Sequence, residues 1–381
     1  MESREPDAPL PTDFPPAARI YLRPVGPSRR ADLAALIDRG EALPLAGGDL
    51  AFGLCEVAIR LPGPIRRVTA ALPDIRAWAA RAGGTLRERV EGLLGHLSRG
   101  RCDPRGELLG RPLLMGIVNA TPDSFSDGGL HVDPAAAVAH GRRLAEAGAD
   151  IIDVGGESTR PGAAPVAPDI ETARVLLVLQ GLAAAPMRLP KPQLSIDTRH
   201  ASVMRAALAV GVDVINDVSA LTDDPASLEV AAGSRAAVVL MHMRGTPSTM
   251  NEAPVYDDAA FDVFDELEAR VQACLDAGIG RHRIIVDPGI GFGKRRAHNL
   301  AILRSLALYH GLGCPLLLGV SRKSLGEGDG RVAPKDRLPT SLAAAMHALN
   351  QGVQILRVHD VAETHRIVDF WQQLTAGGVD H

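Results

Sequence analysis

Polar side chains stand at or just beyond the ends of eight short apolar runs in the part of the chain that follows Arg111. They are amides, carboxylates, cations and histidines, namely Asn119, Asp153, Asp197, Asn216, His242, Asp287, Lys323, Arg357 and His359. A single acid after an apolar run is usually a helix N-cap or a turn residue. A polar group at every run instead predicts one ring of functional side chains around a shared ligand.

Part of this ring suits the donor-rich edge of a flat heterocycle such as a 2-aminopyrimidine. Asp197, Asn216 and Asp287 offer carboxylate and amide oxygens, and hydrogen bonds to charged carboxylates are stronger than those between neutral groups. Lys323 could donate to a ring carbonyl or nitrogen. The residue types therefore predict a site that binds a flat ring through paired hydrogen bonds.

Another part of the ring suits an anion. Asn119 follows the first run, and Arg357 and His359 belong to the last, so these residues become neighbours if the sheet closes on itself. Such a set could hold a phosphate or pyrophosphate. Magnesium is then the expected cofactor, because Mg²⁺ prefers one or two protein oxygens together with substrate phosphate, and Asn119 could supply one of them.

Other residues and strings near the ring give weaker indications of a functional role. The string GIGFGK resembles a phosphate loop, but Pro288 replaces its first glycine and Arg295 replaces its hydroxyl residue. His242 has no second histidine or carboxylate four residues further on, so we expect a hydrogen-bonded rim histidine and not a zinc site. Met241 and Phe292 could belong to the core or could sandwich a flat ring.

The eight apolar runs must be the strands that position these residues. They span 113–118, 151–154, 193–196, 213–216, 237–241, 283–286, 315–320 and 354–358. Helix signals lie between them, such as Asp133 and Pro134 at the start of one helix and Gly148 after its end. Repeated strand–helix units over roughly 260 residues predict an α/β fold, a closed (β/α)8 TIM barrel, because doubly wound sheets more often stop at five or six strands.

The first part of the chain has a different texture. Residues 1–16 are rich in proline and acid, which predicts a disordered tail. Residues 17–111 predict a small α+β N-terminal extension of unknown role, which could brace the barrel's N-terminal face or mediate assembly, and the barrel takes residues 112–381. The expected strands of the extension span 20–23 and 50–61, and its expected helices span 30–39, 73–81 and 86–98.

The composition argues against several function classes. Hydrophobic residues make up 46% of the 381 residues, which is enough to bury a large core, while a net charge of -4 and 3% aromatic residues argue against a nucleic-acid partner. No apolar run approaches the roughly 20 residues of a membrane span, and the N-terminus lacks the basic start of a signal peptide. The widely spaced cysteines predict reduced thiols and a cytoplasmic protein.

A series of strings resembles the motifs of the dihydropteroate synthase family of folate biosynthesis and occurs in that family's order. They lie within residues 112–375 and read NATPDSFSDGG, DVGGESTRPGA, SIDT, INDVSA, LMHMRGTPSTM, DPGIGFGK, GVSRKS and RVHDV. The resemblance implies a (β/α)8 barrel that joins 6-hydroxymethyl-7,8-dihydropterin diphosphate to 4-aminobenzoate and releases pyrophosphate in the presence of magnesium.

The resemblance also implies which residues bind each substrate. Its pterin pocket consists of Asp197, Asn216, Asp287 and Lys323, with Met241, Phe292 and Gly319 as walls. Its pyrophosphate site consists of Asn119, Arg160, Arg357 and His359, with Asn119 as the magnesium ligand. Its 4-aminobenzoate site consists of Thr159, Arg160, Pro161 and Ser324, beneath the loops 119–131 and 156–168.

The implied reaction depends on electrostatic stabilisation more than on proton transfer. Loss of pyrophosphate leaves a cation on the pterin methylene, which Asp197 stabilises, and the arylamine then attacks that carbon without an obligatory general base. The implied catalytic set is Asp197, Lys323, Asn119, Arg357 and His359. The family further implies a homodimer, with the last predicted helix at 363–374 as a candidate contact, and sensitivity to sulfonamides.

Three alternatives use the same residues differently. A pterin-binding methyltransferase shares the Asp and Asn contacts but needs neither the pyrophosphate set nor the TPDSFSDGG and STRPGA loops. A non-catalytic pterin-binding paralogue would keep the pocket and lose those loops, which are intact here. An interaction scaffold built on the extension has no further support.

The clearest departure from the family's barrel is the segment after Ser324, LGEGDGRVAPKDRL, which is richer in Gly and Asp than the family's aliphatic segment.

Overall fold

The computed structural model describes residues 10–11, 18–61, 64–121, 133–158, 165–246, 249–250, 254–326 and 332–375. The part of the chain before Pro112 is called the extension below, and the part that follows is the barrel. Within the described ranges, no helix is both long and apolar enough to cross a membrane. The predicted tail, residues 1–16, lies outside the described residues apart from 10–11, where the Pro11 carbonyl accepts a hydrogen bond of 2.7 Å from Trp78 Nε1.

The extension contains small antiparallel sheets and helices, as its α+β prediction requires. Its elements are β1 (Arg19–Pro24), β2 (Ser28–Arg29), α1 (Ala34–Asp38), β3 (Leu43–Pro44), β4 (Leu50–Phe52), β5 (Leu54–Arg60), β6 (Arg66–Ala71), α2 (Leu72–Ala82) and α3 (Gly84–Ser98). One sheet has the order β1-β5-β6 and the other the order β2-β4-β3. A 3-10 turn at Arg30–Leu33 precedes α1.

The structure differs from the sequence prediction within the extension. The strand expected at 50–61 is divided at Gly53 into β4 and β5, which belong to different sheets. Strands β2, β3 and β6 were not predicted, because β2 and β3 are two residues long and β6 carries a single buried side chain, Val68. The helix expected at 30–39 is a 3-10 turn followed by the short α1, whereas α2 and α3 confirm the other two helices.

The barrel strands confirm all eight predicted runs. In the described residues they are β7 (Leu113–Asn119), β8 (Ile151–Gly155), β9 (Gln193–Asp197), β10 (Val214–Asp217), β11 (Ala237–Met241), β12 (Ile284–Asp287), β13 (Leu317–Leu318) and β14 (Ile355–Val358). They pair in the order β12-β11-β10-β9-β8-β7-β14-β13. A parallel bridge from Val286 to Leu316 joins the two ends of this order, so the sheet closes on itself. Strand β13 is shorter than the run predicted at 315–320.

Helices connect the strands on the outside. They are α4 (Pro134–Glu146), α5 (Pro168–Ala184), α6 (Ala201–Ala209), α7 (Ser227–Ala232), α8 (Ala259–Asp276), α9 (Arg296–Arg304), α10 (Leu338–Asn350) and α11 (Val361–Thr375), with 3-10 turns at Arg281–Arg283, Leu306–Leu312 and Pro334–Asp336. The Asp133 carboxylate caps α4 by accepting from the Ala135 amide at 2.9 Å, and Gly148 has a φ of 108° after its end. Both signals were predicted from the sequence.

Two apolar layers hold the barrel together. The interior of its lower half contains Met115, Ile151, Val214, Ala237, Val239, Ile285, Leu317 and Ile355, all buried. A larger core lies between strands and helices and continues into the extension. Because successive side chains of a strand point to opposite faces, each strand contributes to both layers.

The extension packs on one side of the barrel and on its N-terminal face. The Tyr21 ring lies 4.4 Å from that of Phe261 and 5.6 Å from that of Phe264, both on α8. At the N-terminal face, the buried Arg101 guanidinium donates to the carbonyls of Cys314 and His310, each at 3.0 Å. The extension therefore shares both apolar and polar contacts with the barrel.

Candidate active site

Strand alternation explains why polar groups meet at the upper end of the barrel interior. Each of several strands carries a buried apolar residue that faces inward and, two residues later, another residue on the same face. These later residues are Asp153, Asn216, Met241, Asp287, Gly319 and Arg357. Strand register adds Asp197, which pairs with Asn216 on one side and with Gly155 on the other. The predicted ring is therefore assembled at the carboxyl ends of the strands.

Arg357 joins two carboxylates across the barrel. Its Nε donates to Asp153 Oδ2 at 2.7 Å and its Nη2 donates to Asp197 Oδ2 at 2.6 Å. Asn216 Nδ2 donates to the same Asp153 oxygen at 3.0 Å. Burial raises the pKa of Asp197, although the Arg357 charge opposes that shift. Burial also disfavours the guanidinium charge, but Asp153 and Asp197 hold the pKa of Arg357 above its ordinary value.

Asp287 and Lys323 face the opposite side of the same pocket. A Cβ atom on Gly319 would lie 3.8 Å from Asp287 Oδ2 and 3.9 Å from Lys323 Nζ, so the glycine leaves room between the two charged groups. Burial raises the pKa of Asp287, against the opposing charge of Lys323. Burial likewise lowers the pKa of Lys323 to about 8, against the opposing charge of Asp287.

The two ambiguous side chains of the sequence analysis lie beside these groups. Lys323 Nζ sits over the half-buried Phe292 ring, 4.6 Å from its centroid, and donates to the Ile290 carbonyl. Met241 is buried at the end of β11, where it pairs in register with Asp287. Both residues are therefore placed where a flat ring bound between Asp287 and Lys323 would touch them.

The glycine-rich loop after β12 is held from within by Lys294. This buried ammonium donates to the carbonyls of Gly289 and Phe292, each at 2.9 Å, and to the His242 carbonyl at 3.0 Å. Gly289 has a φ of 66°, and a Cβ there would lie 2.0 Å from the His242 carbonyl oxygen, so only glycine fits. The lysine of GIGFGK thus shapes the pocket wall through hydrogen bonds within the protein.

His242 is the hydrogen-bonded rim histidine that the sequence predicted. Its Nδ1 lies 2.9 Å from Lys294 Nζ, whose three N–H groups are shared among this nitrogen and the three carbonyls, and its Nε2 lies 2.9 Å from Glu266 Oε2. Burial, together with the Lys294 charge, lowers the pKa of His242 to about 4. The imidazole is therefore neutral at pH 7, with Nε2 as the donor to Glu266.

The predicted anion-binding residues lie on adjacent strands. Strand β14 pairs with β7, with Arg357 opposite Met115 and Val358 opposite Gly116, so His359 follows β14 on the strand next to the one that ends in Asn119. Asn119 is half-buried there. The Ser321 hydroxyl lies 3.1 Å from both the amide nitrogen and Nδ1 of His359, which fixes the imidazole. The Arg357 guanidinium itself is bonded to Asp153 and Asp197.

The predicted 4-aminobenzoate site is described only at its edges. Thr159, Arg160 and Pro161 lie outside the described residues, as does residue range 122–132 of the first loop. Ser324 is exposed next to Lys323. The near side of the second loop is anchored by Glu157, which accepts from the Val166 amide at 3.0 Å.

Several contributors were missed by the sequence analysis. Asp153 was noted only as a strand end, although its inward position two residues after Ile151 signals a place in the pocket. Lys294 was set aside with the failed phosphate loop. Glu157 forms a bidentate pair with Arg199, at 2.9 and 3.1 Å, that links the loops after β8 and β9. No sequence pattern indicates that pair, because it joins residues 42 positions apart.

The oxygen atoms of the site determine how it could bind Mg²⁺. In the described part of the chain, no group of three or more His, Cys, Asp or Glu side chains is arranged to hold a metal ion. The pocket carboxylates of Asp153 and Asp197 are bonded to Arg357. Asn119 offers a neutral amide oxygen at the end of β7, which fits a single protein ligand to an Mg²⁺ ion whose other ligands are phosphate and water.

Comparison with known proteins places these features in a family. Residues 115–359 match the pterin binding enzyme family. The dihydropteroate synthase of Escherichia coli (strain K12) is 46% identical over 256 residues, which cover 67% of this chain and 89% of that protein. The probable bifunctional folylpolyglutamate synthase/dihydropteroate synthase of Haloferax volcanii is 39% identical over 343 residues, 85% of this chain and 40% of that protein, so this match reaches into the extension.

Solved structures lead to the same family. The dihydropteroate synthase of Xanthomonas albilineans with 4-aminobenzoic acid superposes with a TM-score of 0.67 at 47% identity, over 73% of this chain and 99% of that one. A second structure of that protein, in complex with 7,8-dihydropteroate, has a TM-score of 0.64 at 45% identity and covers 73% of this chain and 100% of that one. Motifs, barrel and comparisons agree, and this chain belongs to the dihydropteroate synthase family of pterin-binding enzymes.

Proposed function

We propose that the protein condenses 6-hydroxymethyl-7,8-dihydropterin diphosphate with 4-aminobenzoate to give 7,8-dihydropteroate and pyrophosphate. One observation carries the proposal above all others. Asp197, Asn216, Asp287 and Lys323 come from four different strand ends and converge on one pocket whose donors and acceptors complement an aminopyrimidine ring. A relative's structure with 4-aminobenzoic acid supports the second substrate.

The pterin ring lies between the two charged sides of the pocket. The Asp287 carboxylate and the Asn216 amide oxygen accept from the N–H groups of its aminopyrimidine edge, and Lys323 donates to a ring carbonyl or nitrogen. Phe292, Met241 and Gly319 form the walls against its faces. Buried carboxylates prefer partners that donate two parallel hydrogen bonds, so this edge is selected over rings that lack an exocyclic amine.

Pyrophosphate binds where β7 and β14 meet. Asn119, Arg357 and His359 hold its oxygens, and Arg160 reaches it from the second loop. Asn119, together with the pyrophosphate itself, would hold Mg²⁺, and the ion would supply positive charge to neutralise the leaving group. The imidazole of His359 is already oriented by Ser321, so little ordering is needed when the anion arrives.

Bond cleavage separates charge, and the pocket is built to tolerate that separation. As the C–O bond breaks, positive charge develops on the pterin methylene and is met by the Asp197 carboxylate, while Arg357 bridges Asp197 to the pyrophosphate side. The neutral arylamine of 4-aminobenzoate then attacks the methylene carbon and loses a proton to solvent. Thr159, Arg160, Pro161 and Ser324 hold this second substrate.

Three further proposals concern the protein's location, its oligomeric state and the division of its chain. The protein acts in the cytoplasm and without a nucleic-acid or membrane partner, consistent with its composition. It works as a homodimer, with α11 as a candidate contact because Phe370 is 54% exposed on it. It divides into a tail at 1–16, the extension at 17–111 and the catalytic barrel at 112–381.

The test is an assay of the purified protein with dihydropterin diphosphate, 4-aminobenzoate and Mg²⁺. Dihydropteroate and pyrophosphate are measured for the wild type, for Lys323→Ala and for Lys335→Ala, in which an exposed lysine on the Pro334–Asp336 turn is changed. We expect product from the wild type and from Lys335→Ala, and a loss of about 10³-fold in kcat/KM for Lys323→Ala. Correctly folded wild type that binds the pterin and forms no product would indicate a non-catalytic pterin-binding protein instead.

A further inference from the structure

A row of ion pairs joins the extension to the outer face of α8. Its extension members are arginines, and its partners are the carboxylate of the helix N-cap, Asp258, and two carboxylates within the helix. The pairs are Arg67 with Asp258 at 2.5 Å, Arg60 with Asp262 at 2.6 Å and Arg89 with Glu268 at 2.6 Å. Helix α8 starts at the upper end of the barrel, directly after the loop that follows β11. The row therefore runs from the pocket end toward the opposite face.

Arg60 differs from the other arginines in the partner that it reaches. Asp262 is 6% exposed, and besides Arg60 it accepts from the Asp257 amide at 3.0 Å and lies 3.6 Å from Arg244. Asp257 and Arg244 both belong to the segment between β11 and α8. Asp262 is thus an enclosed point at which the extension meets the described part of the loop after β11, beside the more open contacts of Arg60 with Asp257 and of Arg67 with Asp258.

Arg244 carries the contact from Asp262 to the pocket wall. Its guanidinium donates to Glu266 and to the Val255 carbonyl and lies over the Tyr256 ring, 4.1 Å from the centroid. The Tyr256 hydroxyl donates to the Gly293 carbonyl at 2.9 Å. Gly293 adjoins Phe292, the ring that faces Lys323.

Gly293 is also packed directly against the backbone of Arg244. It has a φ of 58°, and a Cβ there would lie 2.6 Å from the Arg244 carbonyl oxygen, so the loops after β11 and β12 pack backbone against backbone at this point. Glu266 extends the same connection to His242 and Lys294, which hold the loop after β12. Each link from Arg60 to the pterin-facing wall is therefore a direct contact.

We propose that Arg60 of the extension is a positioning residue for the pterin pocket, acting through Asp262, Arg244 and Tyr256 on the wall that carries Phe292. This inference rests on the proposed function, because the wall is assigned to the pterin. The matched Xanthomonas structure leaves about a quarter of this chain without a counterpart, and the family match begins at residue 115. The extension thus supplies an arginine that the family barrel by itself does not contain.

The physical consequence of removing Arg60 follows from burial. Asp262 would lose its close cation while remaining nearly enclosed, and an unpaired buried carboxylate recruits the nearest positive group. That group is Arg244, at 3.6 Å. A shift of Arg244 toward Asp262 weakens its hold on the Tyr256 ring and the Val255 carbonyl, and the wall at Gly293 loosens.

The experiment compares Arg60→Met with Arg89→Met in the full-length protein. Arg89→Met removes the pair with Glu268, whereas Arg60→Met removes the pair with Asp262 together with the longer ones to Asp257 and Asp265. Glu268 lies six residues, or about 9 Å, further along the helix than Asp262 and keeps Arg19 as a partner. We expect Arg60→Met to raise KM for dihydropterin diphosphate about three- to tenfold, with KM for 4-aminobenzoate changed less than about twofold. Arg89→Met should leave both KM values unchanged.

A third variant and a second measurement distinguish a positioning role of Arg60 from a general loss of stability. Arg60→Lys retains the charge with a single point contact, so its rise in KM should be smaller than that of Arg60→Met and still exceed that of Arg89→Met. Hydrogen–deuterium exchange of the peptide spanning 242–258 should speed up in Arg60→Met and not in Arg89→Met. This readout needs no activity, so it stands even if the wild type forms no dihydropteroate.

The inference is overturned by either of two results. Equal changes of KM in Arg60→Met and Arg89→Met would mean that the extension only stabilises the barrel as a whole. Unchanged exchange in 242–258 upon loss of Arg60 would mean that Asp262 does not transmit its contact to the loop. A wild type without activity, by contrast, removes the proposed function and leaves the exchange comparison to decide whether Arg60 positions the loop.

Discussion

The lower and upper halves of the barrel interior are built by the same strands and differ completely in chemistry. The lower half is lined by Ile151, Val214, Ile285, Leu317 and Ile355, all buried. Two residues further along the same strands stand Asp153, Asn216, Asp287, Gly319 and Arg357. One step of the strand repeat therefore separates an apolar core from a pocket of charged groups.

This difference shows that the lower half contributes stability and the upper half carries the functional groups. Burial of aliphatic side chains stabilises the lower half without any polar partner. In the upper half, burial acts against the charges: it raises the pKa of Asp197 and Asp287 and lowers that of Lys323. The fold tolerates these groups because opposite charges face one another, and an active site often retains such a cost for its chemistry.

The largest expected effect comes from Asp197→Asn, which tests the upper half. An amide of the same size removes the negative charge that faces the developing cation, so kcat should fall about 10²- to 10³-fold, with a smaller rise in KM because Asp197 also lines the pterin pocket. The free energy of unfolding at pH 8 should not fall, because burial disfavours the ionised Asp197 carboxylate. Steady-state kinetics and urea unfolding measure the two quantities.

Asp369→Asn is the control, since this carboxylate is exposed on α11 and should change neither quantity. If Asp197→Asn lowered stability as strongly as activity, the Asp197–Arg357 pair would be a structural element, and the two halves of the interior would not divide stability from function.

A second, somewhat smaller effect is expected from Ile151→Ala in the lower half. Ile151 is fully buried, and truncation of such a side chain costs about 2–5 kcal/mol through lost burial and the cavity left behind. Values of kcat and KM should stay within about twofold of the wild type. Urea unfolding together with the product assay checks both, and a large change in KM without loss of stability would contradict the division between the halves.

The barrel was predictable because its pattern is local. Eight apolar runs with helix signals between them fix strand number, order of appearance and inward alternation, and the structure confirms each run. The extension was predicted less well for the same physical reason. Its division at Gly53 depends on the two different sheets that β4 and β5 join, and β6 carries one buried side chain, Val68, too few to produce a sequence period.

The pocket was predictable in its residue types and not in its internal pairing. The sequence indicates that Asp197, Asn216, Asp287 and Lys323 converge, since all follow strands. It does not indicate that Arg357 bridges two carboxylates or that Lys294 is enclosed by carbonyls, because these contacts are set by side-chain directions after closure. The path from Arg60 to Gly293 likewise exists only once the extension is docked on α8.

The smallest expected effect is a pH dependence that belongs to the upper half alone. Burial lowers the pKa of Lys323 to about 8, and the facing Asp287 charge opposes this shift. The protonated ammonium is the form that donates to the pterin, so kcat/KM for dihydropterin diphosphate should fall above about pH 8, by about tenfold per pH unit.

A charge substitution can move this alkaline limb in a known direction. Asp287→Asn removes the charge that supports the ammonium, so the pKa of Lys323 should fall further and the limb should shift to lower pH. Ile151→Ala, in the apolar lower half of the barrel interior, should leave the limb in place, because it changes no charge. A pH profile of kcat/KM for the three proteins decides: a limb that stays fixed in Asp287→Asn, or that moves equally in Ile151→Ala, would show that the titrating group is not Lys323 and that the pocket's charges are not coupled across Gly319.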